Sequence, residues 1–134
     1  MNRIVARFQD GRILKGFTND FLPNKDHFHL VDQQPPTDGK PLEVRVYELK
    51  ALFFVKTFEG QPEHKEITDP AAAPVKPSAG RRIRVLFKDG EVVVGTTQGY
   101  DKLRPGFFVV PLDPGSNNER CFVIAAATRE VAFV

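Results

Sequence analysis

Two histidines spaced one residue apart, His27 and His29, are the clearest hint of chemistry in this chain. On an extended segment they would project from one face, as a chelating pair can. No other histidine lies within residues 3–55, so Asp26 or Asp32 would have to complete a metal site. The pair therefore reads as ordinary, partly exposed imidazoles, with no metal expected. Nucleophilic chemistry has less support still. Serine occurs only at Ser78 and Ser116, and Cys121 is the single cysteine. Asp10 and Asp89 each precede a glycine, where turn chemistry accounts for them. No Gly-rich phosphate loop leads into a helix. The residues point to a protein that is not an enzyme and carries no cofactor.

Basic and aromatic residues form the other candidate set. Arg81, Arg82 and Arg84 lie in the same half of the chain as Phe107 and Phe108, and cationic grooves with aromatic platforms hold single-stranded nucleic acid. Arg82 and Arg84 would face solvent if Ile83 and Val85 face the core, so a solvated face explains them equally. The charge balance favours the second explanation. The net charge is +2, from 8 basic and 7 acidic residues over 1–55, 3 and 4 over 56–80, and 8 and 6 over 81–134. Phosphate contacts would want a larger positive excess. Protein interaction is the favoured class, with nucleic-acid binding as the alternative. Tyr100, Arg104, Phe107, Phe108, Arg82 and Arg84 form the candidate interaction surface.

An internal repeat positions all of these residues. Sliding the sequence by 79 positions aligns residues 3–55 with 82–134 without a gap and with thirteen identities, among them Asp10-Gly11, Gly16, Thr18, Phe28 and Phe54. Self-similarity of this kind fixes the architecture before propensities do. Ile4, Ala6 and Phe8 alternate, as do Ile83, Val85 and Phe87, which predicts half-buried strands. Asp10-Gly11 and Asp89-Gly90 then predict tight hairpin turns. Second strands follow over 12–21 and 91–100, each interrupted by a glycine (Gly16, Gly95) read as a bend. Third strands span 27–31 and 106–110, and turns are expected at 35–39 and 114–118. Fourth strands span 42–47 and 121–126. One-turn helices are expected at 48–50 and 127–129 before last strands at 52–57 and 131–134.

Five short strands with a glycine-bent second strand describe a small barrel. From Arg82 onward the pattern Ile83-x-Val85-x-Phe87-x-Asp89-Gly90, Gly95, Tyr100-Asp101 resembles the first Sm motif, and 121–134 resembles the strand–turn–strand of the second. The resemblance implies an all-β protein of two tandem five-stranded SH3/Sm-like barrels, 1–58 and 81–134. Between them, 59–80 carries Pro62, Pro70, Pro74 and Pro77 and reads as a semi-extended linker. Pro74-Val75-Lys76-Pro77 also fits a PxxP pattern, although a stiff spacer explains it. Sm-like proteins hold an RNA base with an Asn after the Asp of the first motif and an Arg-Gly pair in the second. Here Pro105 stands at the first position, Leu22 replaces the Asp in the first copy, and 124–130 contain no Arg-Gly.

Cys121 aligns with Leu42, which predicts a small buried hydrophobe. The last strands, Leu52–Val55 and Val131–Val134, are apolar on both faces and predict burial on both sides, either within one chain or between chains. Exposed edge strands are surfaces for a protein partner or self-association. No segment approaches the apolar length of a membrane span, and no signal-peptide pattern opens the chain, so a cytoplasmic, reduced setting is expected.

Overall fold

A computed structural model describes residues 1–34, 39–72 and 80–134. Residues 35–38 of the turn expected at 35–39, and the PxxP stretch, lie outside the described residues. The chain is all-β. Strands β1 (Asn2–Phe8), β2 (Ile13–Thr18), β3 (His27–Asp32), β4 (Leu42–Arg45) and β5 (Leu49–Val55) form the first run. Strands β6 (Arg81–Phe87), β7 (Val92–Thr97), β8 (Gly106–Pro111), β9 (Asn118–Ile124) and β10 (Thr128–Phe133) form the second. Single 3₁₀ turns cover Val46–Glu48, Pro70–Ala72 and Ala125–Ala127, and no described helix is long and apolar enough to cross a membrane.

The hairpin turns form as the Asp-Gly pairs predict. Phe8 N–H donates to Arg12 O and Gly11 N–H to Phe8 O, closing a three-residue loop. Gly11 and Gly90 take φ of +95° and +93°, the left-handed conformation this loop requires. Asp10 and Asp89 each accept the backbone N–H two residues on, at 3.0 Å. The backbone hydrogen bonds recur at the repeat spacing. Gln9 N–H donates to Glu48 O as Lys88 does to Ala127 O, and Gln33 N–H to Lys15 O as Leu112 does to Val94 O.

Gly16 and Gly95 have a different reason from the bend expected of them. A Cβ on Gly16 would lie 2.2 Å from Val31 O, and one on Gly95 the same distance from Val110 O. The neighbouring strand passes so close that only a missing side chain lets it through.

The larger departure is in how the two runs combine. Two separate closed barrels are not what forms. One open antiparallel sheet runs β10-β6-β7-β8-β9-β5-β1-β2-β3-β4. The join is β5 against β9, with Ala51 opposite Val123, Leu52 opposite Phe122 and Phe53 opposite Cys121. All seven β5 residues are buried. Leu49, Leu52 and Phe54 enter one core with Phe28, Leu30 and, from β9, Phe122. Ala51, Phe53 and Val55 enter the other with Ile83, Val85 and Cys121. A strand apolar on both faces needs a cover on each side and a partner on each edge, and one chain supplies all four. Each fully buried Leu or Phe contributes roughly 1.5–3 kcal/mol, so the shared strands hold the two runs firmly together. Burial also pushes the Cys121 thiol up to about 12, consistent with an inert packing role.

Lys50 explains why β5 starts three residues earlier than the apolar pattern suggests. Only 8% exposed, it sits inside the strand with Nζ 2.7 Å from Asp89 Oδ2 and 2.5 Å from Glu91 Oε1. The chain after β5 is likewise tied down where it is described. Phe58 packs edge-on to Phe17 at 5.3 Å, and Asn117 accepts from Thr57 N–H and donates to Thr57 O. Asp113 Oδ2 accepts from Ile67 N–H at 3.0 Å.

Candidate functional site

Pairing between β7 and β8 stops early. Gly95 faces Pro111 and Thr96 faces Val110, and beyond Thr96 the strands part. The gap opens into a cavity of about 780 Å³, within the range that accommodates small ligands. Thr96, Thr97, Gln98 and Gly99 line one side, and Arg104 to Phe108 the other. Arg120 and Phe122 of β9 and Pro23 and Asn24 of the first copy complete the wall, so both copies contribute.

Its electrostatics are one-sided. Two guanidiniums, those of Arg104 and Arg120, line it with no carboxylate among the described lining residues. Neither has a hydrogen bond or ion pair among the described residues. Arg120 lies over two rings, 4.3 Å from the Phe54 centre and 4.7 Å from that of Phe108. Stacking of this kind fixes a guanidinium plane while leaving its N–H donors free.

One backbone donor is also free. Ala125 N–H donates to Pro105 O at 2.9 Å, and in an antiparallel pair this sets which residues bond across it. With Gly106 opposite Ile124 and Phe108 opposite Phe122, Phe107 and Val109 bond to β9, while Phe108 turns its N–H and C=O toward β7. The C=O accepts from Thr97 Oγ1 at 2.7 Å. The N–H meets no acceptor among the described residues.

The first copy fills the same position. Val46 N–H donates to Asp26 O at 2.8 Å, which sets the same alternation, and His29 turns its N–H toward β2. There Asp20 Oδ1 accepts the His29 N–H at 2.9 Å and the Thr18 hydroxyl at 3.1 Å, and Asp20 Oδ2 lies 2.7 Å from His29 Nδ1. Burial opposes the Asp20 charge, but the His29 N–H, its ring and Thr18 outweigh it and hold the carboxyl at about 2. In the second copy Thr97 aligns with Thr18 and Phe108 with His29, but Gly99 stands where Asp20 would be.

Profile comparison over residues 1–134 assigns the family. The chain belongs to DUF6982, a family of unknown function. No curated protein and no solved structure matches it.

Among the candidate surface residues of this DUF6982 chain, Arg104, Phe107 and Phe108 come together at the cavity. Tyr100 instead turns inward, its ring 4.9 Å from Phe107 and 5.5 Å from Phe133. Arg82 and Arg84 lie on β6 away from the cavity, and Arg82 Nη1 reaches Pro70 O at 3.5 Å. Sequence reasoning missed Arg120, Thr97 and Gln98. Arg120 has Pro41 as its counterpart, so the repeat gives it no emphasis.

The histidine pair is held by carboxylates, His27 Nδ1 lying 2.7 Å from Asp26 Oδ1 as His29 does from Asp20. Asp32, the other carboxylate that a metal site there would have needed, accepts Gln34 N–H. A different cluster brings His64, Glu66 and Asp113 within 4.8 Å of one another. Asp113 Oδ2 there already accepts from Ile67 N–H and lies 2.7 Å from His64 Nε2, while its Oδ1 accepts Gly115 N–H. Burial disfavours the Asp113 charge, and the N–H groups of Gly115 and Ile67, with His64, more than offset this and lower its pKa. This arrangement clamps the connector to the second run.

Proposed function

We propose that this DUF6982 chain is a non-catalytic binding module that engages a protein partner. In this reading residues 1–58 and 81–134 are two small units of Sm-like or SH3-like strand order, joined through β5 and β9, with 59–80 as connector. The observation that carries it is the cavity between β7 and β8, where the Arg120 guanidinium sits over Phe54 and Phe108, Arg104 lines the same space, and no carboxylate, histidine, serine or cysteine stands among the described lining residues. Such a site holds a ligand; it does not transform one. The chain ends of the sheet contribute less, because both outer strands carry charge: Glu43 and Arg45 on β4, Arg129 and Glu130 on β10.

Nucleic-acid binding is the second reading, favoured by the stacking of Arg120 on Phe54 and Phe108. A photo-crosslinking residue at Val110, which lines the cavity and is 49% exposed, separates the two in the native host. A polypeptide adduct that survives nuclease, and is absent when the crosslinker sits at Leu103 outside the lining, is expected. A nuclease-sensitive adduct would replace the protein reading with the nucleic-acid one.

A further inference from the structure

We infer that the cavity between β7 and β8 is a receptor for a carboxylate, and that Asp20 in the first copy shows how the carboxylate binds. The inference rests on the binding-module reading and specifies its ligand. The two copies share the break in the strand ladder and the residue that turns its N–H into the break, His29 in one and Phe108 in the other. They share the threonine hydroxyl beside it, Thr18 and Thr97. They differ in the acceptor. Asp20 supplies a carboxylate from within the chain, whereas Gly99 supplies nothing and leaves the space open: apart from its two chain neighbours, no described heavy atom lies within 4 Å of where its Cβ would be.

The second copy also differs in what surrounds the vacancy. Arg104 aligns with Lys25, and Arg120, aligned with Pro41, is an added cation. His29 and Glu43 align with Phe108 and Phe122, which replace an imidazole and a carboxylate with two rings 5.0 Å apart. The exchange removes negative charge, adds a guanidinium and adds apolar surface. All three changes suit an external anion with an apolar body. A carboxylate in the place of Asp20 would accept the Phe108 N–H and meet the Arg120 guanidinium on its aromatic platform, with Arg104 lining the same cavity, the pairing for which Arg is best shaped. On the protein-binding reading the group belongs to a partner polypeptide, as an acidic side chain or as its C-terminus.

The test is a titration of the ¹⁵N-labelled full chain followed by amide shifts. N-acetylphenylalanine presents a terminal carboxylate beside an aromatic ring. N-acetyl-phenylalanyl-aspartyl amide presents a side-chain carboxylate. N-acetylphenylalanine amide is the neutral control, and inorganic phosphate tests for a general anion site. At least one carboxylate probe should move the Phe108 amide proton downfield together with Thr97, Gln98 and Gly99, and the neutral amide should leave them unmoved. Arg120→Gln should weaken that probe about tenfold or more, the usual cost of losing a charged hydrogen bond. Gly99→Asp is the decisive variant, because open space surrounds Gly99. It should shift the Phe108 amide downfield without any probe and abolish probe binding.

Binding of the neutral amide as tight as that of the acid, equal response to phosphate, or unchanged affinity in Gly99→Asp would each overturn the carboxylate assignment. So would a titration in which no carboxylate probe moves Phe108. If the crosslink at Val110 still traps a polypeptide in that case, only the ligand chemistry falls and the module reading stands.

Discussion

Lys50 Nζ, on the last strand of the first copy, lies 2.7 Å from Asp89 Oδ2 in the first hairpin turn of the second. It also sits 4.7 Å from the centre of the Phe87 ring. The contact spans the two copies, and it is possible only because β5 and β9 place them in one sheet. Its cationic head is nearly enclosed while its partners remain about half exposed.

Removing Lys50 therefore leaves no carboxylate stranded in the interior, and the loss is mainly of packing and of a partly screened pair. Lys50→Ala should cost about 1–3 kcal/mol, and Lys50→Met distinctly less, because Met keeps the apolar stem. Chemical denaturation of the three proteins measures both. The hydrogen bond from Lys50, then the Glu91 N–H, lowers the Asp89 pKa. A depressed folded-state pKa contributes stability above the unfolded value, near 3.9 for Asp, and loses it as pH falls through the folded value. The acid limb of the stability profile should accordingly flatten in Lys50→Met. An identical acid limb would show that the pair contributes nothing.

The close strand approach at Gly16 and Gly95 predicts that even the smallest side chain is too large. Gly16→Ala and Gly95→Ala should each destabilise by about 1–3 kcal/mol, as the β3 or β8 carbonyl must move. Wild-type melting of both variants would show that the strands can part at no cost.

Expressed alone, residues 1–58 would expose an edge of β5 and its face of Ala51, Phe53 and Val55, and residues 80–134 an edge of β9 and its face of Phe122 and Ile124. Each half should aggregate or melt well below the full chain, and mixing should recover stability. Thermal melts at several concentrations check this. Halves whose separate melts add up to the full-length curve would contradict the continuous sheet.

The free ends of the sheet predict the opposite behaviour between chains. Glu43 and Arg45 stand where the joined β9 has Phe122 and Ile124, and Glu130 stands where β5 has Ala51. Charges on outer strands resist the edge pairing that the inner strands use. The natural chain should stay monomeric, and the triple variant Glu43→Phe, Arg45→Ile, Glu130→Ala should associate end to end in sedimentation velocity. A variant that sediments as the natural chain does would mean that something other than these charges keeps the ends apart.

Much of this was legible in the residues. Alternation in Ile4, Ala6 and Phe8, the Asp-Gly turns and the repeat spacing specify strands and their order, because each is a local requirement of backbone and burial. The two-sided apolar character of Leu52–Val55 also announced a strand covered twice. What the residues did not reveal was which strand covers it, since the paired residues Leu52 of β5 and Phe122 of β9 are 70 positions apart in sequence, and no local rule reaches that far. Lys50 hid the start of β5, its charge being neutralised by residues of the other copy. The site was half legible. Arg104, Phe107 and Phe108 are conspicuous by type, but the replacement of Asp20 by Gly99 has meaning only once Asp20 is seen to reach the backbone of His29.

The most direct measurement is amide hydrogen exchange at His29 and Phe108 in the free protein. The two occupy matching positions, and His29 is the more exposed residue. If Asp20 fills in the first copy what is vacant in the second, the His29 amide is protected relative to its intrinsic rate and loses that protection as pH falls toward the Asp20 value of about 2, while the Phe108 amide exchanges at its intrinsic rate throughout. A Phe108 amide as protected as that of His29 would mean that its N–H already has an acceptor, and the vacancy on which the account depends would not exist.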